Sequence, residues 1–204
     1  VARGGLEGLG DPIEDPRANL VFLPDRLGRL DQSVDRPLLA PGGYAVPLQN
    51  GVEAAPALER ALGAERVAGG FCAMLSWKAG PGLIHHEGAN LRVVVGERPS
   101  GTSERLAQLV SHMRAAKIDA QLDENLVGAP WEKFLFIASF GAVAAASRAP
   151  VGVVRALPET RALLTAAMEE IAALALRRGV RLPQGAVQRA LGLIDALVPH
   201  ATAS

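Results

Sequence analysis

The feature that most constrains this chain is a change of character near Gly128. Before that point, short β-rich runs alternate with Gly/Pro turns and single helical stretches. Beyond it, apolar residues recur only at helical spacing. Such a pattern suits neither a β-sandwich nor a uniform helical bundle; it predicts a sheet-containing part followed by an all-helical part. At 204 residues the chain suffices for one ordinary domain or two small ones. No repeat of fixed period appears, which argues against a solenoid.

Residues 1–43 are rich in Gly, Pro and charge, and hold only two short apolar runs, 20–23 and 38–40, too broken for a domain of their own. The segment Tyr44-Ala45-Val46-Pro47-Leu48-Gln49 is strand-like and Asn50-Gly51 is a turn signal. Strong helix formers from Val52 to Leu62 favour a strand, tight turn and helix over a hairpin. Two β-rich runs, 66–76 and 91–95, with Leu83-Ile84-His85 between them, predict neighbouring antiparallel strands at a sheet edge. Leu106, Leu109, Val110 and Met113 then mark a helix capped at Thr102 or Ser103. Farther on, Pro130 suits a first helical turn, and Pro158-Glu159 opens a helix with a stripe of Leu163, Leu164, Ala167, Met168, Ile171 and Leu174. Val187, Leu191, Ile194 and Val198 mark one more helix after Pro183.

Composition narrows the function classes. Hydrophobic residues at 49% and charged ones at 21% predict a folded chain, and 21 basic residues balance 21 acidic ones. No global field therefore draws the protein to nucleic acid or an anionic membrane, and specific pockets must do the work. The longest nearly apolar run, 134–146, is too short for a membrane span and reads as a buried helix. The single cysteine, Cys72, excludes an intramolecular disulfide and a thiolate zinc cluster within this chain and suits a reducing cytoplasm. The opening Val-Ala-Arg-Gly-Gly has neither the basic start nor the apolar centre of a secretory signal, and does not read as a natural start.

Chemistry-bearing motifs are sparse. Gly4, Gly5, Gly8 and Gly10 do not have the spacing of a dinucleotide fingerprint, and no strand precedes them. His85, His86, His112 and His200 lack carboxylates or cysteines at metal-ligand spacing and read as turn or edge-strand residues. What does stand out is a set of short elements in order. These are Leu48-Gln49-Asn50-Gly51-Val52-Glu53, the Val67-Ala68-Gly69-Gly70 run, the turn Gly80-Pro81-Gly82-Leu83-Ile84-His85, and Trp131-Glu132-Lys133.

In that order and spacing the chain resembles the ketopantoate reductase (2-dehydropantoate 2-reductase) family over most of residues 44–204. The resemblance implies an α/β, Rossmann-like NADP-binding N-terminal domain, 1–127 and incomplete here, followed by an all-α C-terminal domain, 128–204. The active site would lie in the cleft between them. It implies a cytoplasmic, NADPH-dependent oxidoreductase of pantothenate and coenzyme A biosynthesis that reduces a small 2-oxo acid, without nucleic-acid or membrane partners. Carried onto this chain, Lys133 resembles the general acid. Asn50 resembles an asparagine at a strand's C-terminal end that touches the nicotinamide ribose and the substrate. Arg3 resembles a basic residue that meets the 2′-phosphate of NADP, and Ser76 falls in a segment lying against the cofactor. Ser204 resembles a serine that binds the substrate carboxylate.

Departures from the family are equally informative. Where the family has asparagines four and eight residues after its lysine, and another after the helix-breaking proline, this chain has Ile137, Gly141 and Val151. Losing three polar anchors would weaken ketopantoate binding by orders of magnitude, so a related, more apolar 2-oxo acid is an alternative substrate. The family's glycine fingerprint and second catalytic carboxylate would fall before Val1 and after Ser204, and a segment near Asp25 or Arg26 is skipped. The expectation is a partial record of a longer chain. Two further readings stay open. The chain is alternatively a non-catalytic helical interaction module with a degenerate Rossmann remnant, and the apolar helices after Pro130 bury their stripes either within one chain or across the two-fold axis of a homodimer.

Overall fold

A computed structural model describes residues 39–200. Its first part is an α/β unit. Residues 44–46 run extended and Ala45 pairs in parallel with Val67. Between them lie the helix α1 (Ala54–Leu62) and a 3-10 turn at Ala64–Arg66. The strand β1 (Gly69–Gly80) turns at Pro81-Gly82 into the antiparallel β2 (Leu83–Gly96), with Gly82 at φ 68°. The helix α2 (Glu104–Ala115) then leads to β3 (Asp119–Leu122), which adds to β2 in parallel, giving the order β1-β2-β3.

Side-chain alternation sorts these elements into layers. Tyr44 and Val46 face one core together with Ala68, Val93, Val95, Leu106, Val110 and Met113, which is the α2 side of the sheet. Ala45, between them, faces the other way, into a core with Val67, Leu58 and Leu62 of α1. Period-two patterning thus places a helix on each face of the extended segments, as in doubly wound α/β folds. A polar knot closes the α2 end. The guanidinium of Arg105 forks onto Glu97 at 2.7 and 2.6 Å and stacks 4.7 Å over the Tyr44 ring. Hydrogen bonds from Arg105 hold the Glu97 carboxyl below its usual range, and burial opposes them. Ser103 caps α2 by accepting from the Leu106 amide, as the sequence suggests.

From Gly128 onward the described elements are helices: α3 (Gly128–Ser147), α4 (Val151–Ala156), α5 (Pro158–Arg177) and α6 (Ala186–Ala196). They share a separate core built on Leu135, Val143, Val151, Leu164, Met168 and Ile194. Arg155 donates to the carbonyls of Ile194, Asp195 and Leu197 and so caps the C-terminus of α6.

The architecture has the expected fold class, an α/β Rossmann-like part followed by an all-α part, with local differences. The segment 83–85 is the start of β2 and not a separate strand, because a two-residue turn returns the chain directly onto β1. Of the stripe read on α5, Leu164 and Met168 are buried, whereas Leu163 and Leu174 are exposed. The apolar set there is wider than the face that α3 and α6 cover.

Candidate active site

Lys133 lies in the second turn of α3. The start of that helix is anchored by buried Trp131, whose ring meets Phe134 edge-on at 6.0 Å. This anchoring turns Lys133 toward the sheet, where its Nζ donates to the main-chain oxygen of Cys72 on β1. The amine is half-buried, and burial pushes its pKa below the ordinary lysine value, while the neighbouring Cys72 pulls it up. An ammonium so placed parts with its proton more readily than one in water.

Asn50 follows the extended segment that begins at Tyr44, and is exposed. The tight bend behind it is made by Gly51 at φ 100°, a conformation that side chains other than glycine rarely adopt. The carbonyl of Leu48, two residues before Asn50, accepts from the Cys72 thiol at 3.3 Å. Cys72 therefore touches both candidate elements, the ammonium through its main chain and the Asn50 strand end through its side chain. Lys133 and the segment leading to Asn50 share this neighbour. Nothing in the sequence singles Cys72 out except that it is the one cysteine.

A crevice of about 460 Å³ opens beside this cluster, between the α/β elements and the start of α3. Gln49, Gly51, Gly70, Arg98 and Trp131 are among its walls. Its lining includes both chain neighbours of Asn50 and Trp131, two residues before Lys133, but neither candidate itself. The volume falls in the range of small-molecule sites. Gln49 Nε2 is buried without a hydrogen-bond partner among the described residues, an orphan donor of the kind that a ligand carbonyl satisfies.

The remaining sequence candidates are distributed differently. Ser76 lies on β1 opposite His86 and is exposed. Arg3 and Ser204 fall outside the described residues. Ile137 and Gly141 continue the line of Lys133 along α3 at four-residue spacing. Ile137 is half-buried, and a Cβ added at Gly141 would meet nothing within 4 Å. Val151, by contrast, is wholly buried in the helical core. Among the described residues no group of three or more His, Cys, Asp or Glu is placed to hold a metal, and no helix is long and apolar enough to cross a membrane.

Comparison with known proteins gives a consistent result. Residues 32–100 match the family described as ketopantoate reductase PanE/ApbA, and residues 125–204 match its C-terminal part. The 2-dehydropantoate 2-reductase of Nostoc sp. is 26% identical over 171 residues, which is 81% of this chain and 53% of that protein. The Bacillus subtilis oxidoreductase YkpB is 25% identical over 169 residues, covering 82% and 56%. The crystal structure of 2-dehydropantoate 2-reductase from Methylococcus capsulatus superposes with a TM-score of 0.73 at 28% identity, over 91% of this chain and 58% of that one. D-mandelate dehydrogenase in complex with NADH shares the fold, with a TM-score of 0.71 at 13% identity. The chain spans about half the length of the curated relatives it matches. With both halves of one family signature in order and the matching fold beneath them, this chain belongs to the ketopantoate reductase family, a family of oxidoreductases.

Proposed function

We propose that this chain contributes the proton-donating side of a nicotinamide-dependent 2-oxo acid reductase, with NADP as the cofactor. The observation that carries the reading is the placement of Lys133, whose partly desolvated ammonium is docked on the Cys72 carbonyl of β1.

The residues present fit one end of the cofactor. The orphan Gln49 donor and the exposed Asn50 amide stand together where a strand ends, which is where ligands gather in open α/β sheets. These two amides would hold the nicotinamide end, and Ser76 and Arg3 would contribute farther along the cofactor. When bound, a reduced nicotinamide supplies the hydride that reaches the substrate's carbonyl carbon. Lys133 gives its proton to the carbonyl oxygen, so that the 2-oxo acid becomes a 2-hydroxy acid, and the neutral amine regains a proton from water. Asn50 orients the substrate while the α3 wall keeps bulk water from the reacting oxygen. Ser204 would hold the substrate carboxylate.

The line of Lys133, Ile137 and Gly141 bears on the substrate. Beyond the ammonium this face of α3 offers one apolar side chain and then open space, with no hydrogen-bonding group. A 2-oxo acid with an apolar substituent fits it better than one with a hydroxyl that needs a partner.

The test is steady-state turnover with NADPH and a panel of 2-oxo acids. Lys133→Ala lowers kcat by about 10²- to 10⁴-fold, the range of general-acid catalysis, with little change in the Kd for NADPH by fluorescence titration. Wild-type turnover in the Lys133→Ala protein removes this residue from the reaction.

A further inference from the structure

The contacts of Cys72 carry one step more. It is the single cysteine of the chain and lies half-buried on β1. Its main-chain oxygen accepts from Lys133 Nζ, and its Sγ donates to Leu48 O at 3.3 Å. The second bond matters because, among the described residues, the only sheet pairing of the segment that ends at Asn50 is an isolated bridge, Ala45 with Val67, fastened by the amides of Ala45 and Ala68. Pro47 lacks an N–H with which to extend it. Past that bridge the thiol ties Leu48 to β1.

Packing enforces the same geometry. A Cβ at Gly70 would lie 2.7 Å from Val46 Cγ1 and 2.8 Å from Leu48 Cδ2, so β1 is pressed against this segment two residues before Cys72. Close approach at Gly70 brings the thiol within reach of the Leu48 carbonyl. One residue thus links the Lys133 ammonium to the carbonyl of Leu48, two residues before Asn50.

We infer that Cys72 is a positioning residue, whose thiol locks the Asn50 strand end to the same point of β1 that docks the Lys133 ammonium. The inference rests on the reductase reading for its effect on turnover, but not for its effect on Lys133 itself. Removing the thiol donor lets the strand end move away from β1, admits water to the ammonium, and leaves proton donor and substrate amide out of register.

The experiment uses the sole thiol as a reversible handle. Methyl methanethiosulfonate converts the Cys72 thiol to a methyl disulfide with release of methanesulfinate, which removes the S–H donor from the folded wild-type protein. Dithiothreitol restores it. Two quantities are followed: kcat, and the rate at which Lys133 is acetylated by trace acetic anhydride from pH 7 to 11, read by peptide mass spectrometry. Complete modification is expected to lower kcat about tenfold and to move the Lys133 labelling profile to higher pH, as rehydration of the ammonium requires and against the downward shift that loss of the Cys72 charge alone would give, with both changes reversed by the reductant. Cys72→Ala should reproduce the effect, whereas Cys72→Ser, which keeps a donor, should stay within about threefold of wild type. Unchanged kcat and labelling after full modification overturn the inference. So does equal loss in the Ala and Ser variants, which marks mere packing. If Lys133→Ala retains wild-type turnover while loss of the Cys72 thiol still moves the labelling profile to higher pH, the tether stands and the reductase reading is what fails; a move to lower pH overturns the tether.

Discussion

Lys133 pays for its placement in stability. Burial lowers its pKa, so the unfolded chain holds that proton more tightly than the folded one. The sign follows from linkage: between the lowered folded value and the ordinary value, the unfolded state binds more protons, and stability rises with pH. Below the folded value the cost of the buried charge is fully present. Wild-type stability is therefore expected to climb relative to Lys133→Met as pH increases through this window, as measured by urea denaturation at a series of alkaline pH values. A flat difference would mean that the amine is hydrated. At this scale the sequence was partly legible. Trp131-Glu132-Lys133 was visible as a motif, whereas the partner of the amine was not, because Cys72 lies 61 residues away along the chain.

Helices and strands differ in how openly the chain announces them. The helices α5 and α6 were readable because their apolar spacing repeats over several turns. The strand β3, of four residues, and α4, of six, were not, since each is shorter than the window in which a period can be recognised. Both exist because neighbours complete them: β3 pairs along β2, and Val151 and Val154 of α4 are buried in the helical core. Two glycines in contrasting surroundings give a paired prediction. A Cβ at Gly96 would fall 2.1 Å from the backbone oxygen of Asp123, where β2 and the chain beyond β3 converge. Gly96→Ala should thus destabilise by about 3 kcal/mol through overpacking. Gly192, within α6, has nothing within 4 Å of the added atom, so Gly192→Ala should stabilise by about 1 kcal/mol through helix propensity. Chemical denaturation of the two variants checks both signs.

Across the whole molecule, the α/β part and the helical part flank a crevice walled by Gln49, Gly70 and Arg98 from the first and by Trp131 and Arg178 from the second. The substrate reading belongs to this scale, since it depends on the face α3 presents beyond Lys133. A 2-oxo acid with a branched or aromatic substituent is expected to exceed its hydroxylated counterpart in kcat/KM by tenfold or more. Ile137→Asn should narrow that ratio by supplying a polar partner, each such hydrogen bond being worth about 1 kcal/mol. Initial-rate comparison of matched pairs of substrates decides it, and an equal or inverted ratio in the wild type refutes the apolar pocket. The order of α/β part and helical part was already determined by the sequence, because periodicity and turn chemistry are local properties that each segment carries with it. Only the tertiary structure decided that the ammonium of α3 rests on β1, that a thiol ties β1 to the Asn50 strand end, and that Val151 is core while Ile137 is not. Those outcomes depend on distances between segments far apart in the chain, which no local pattern encodes.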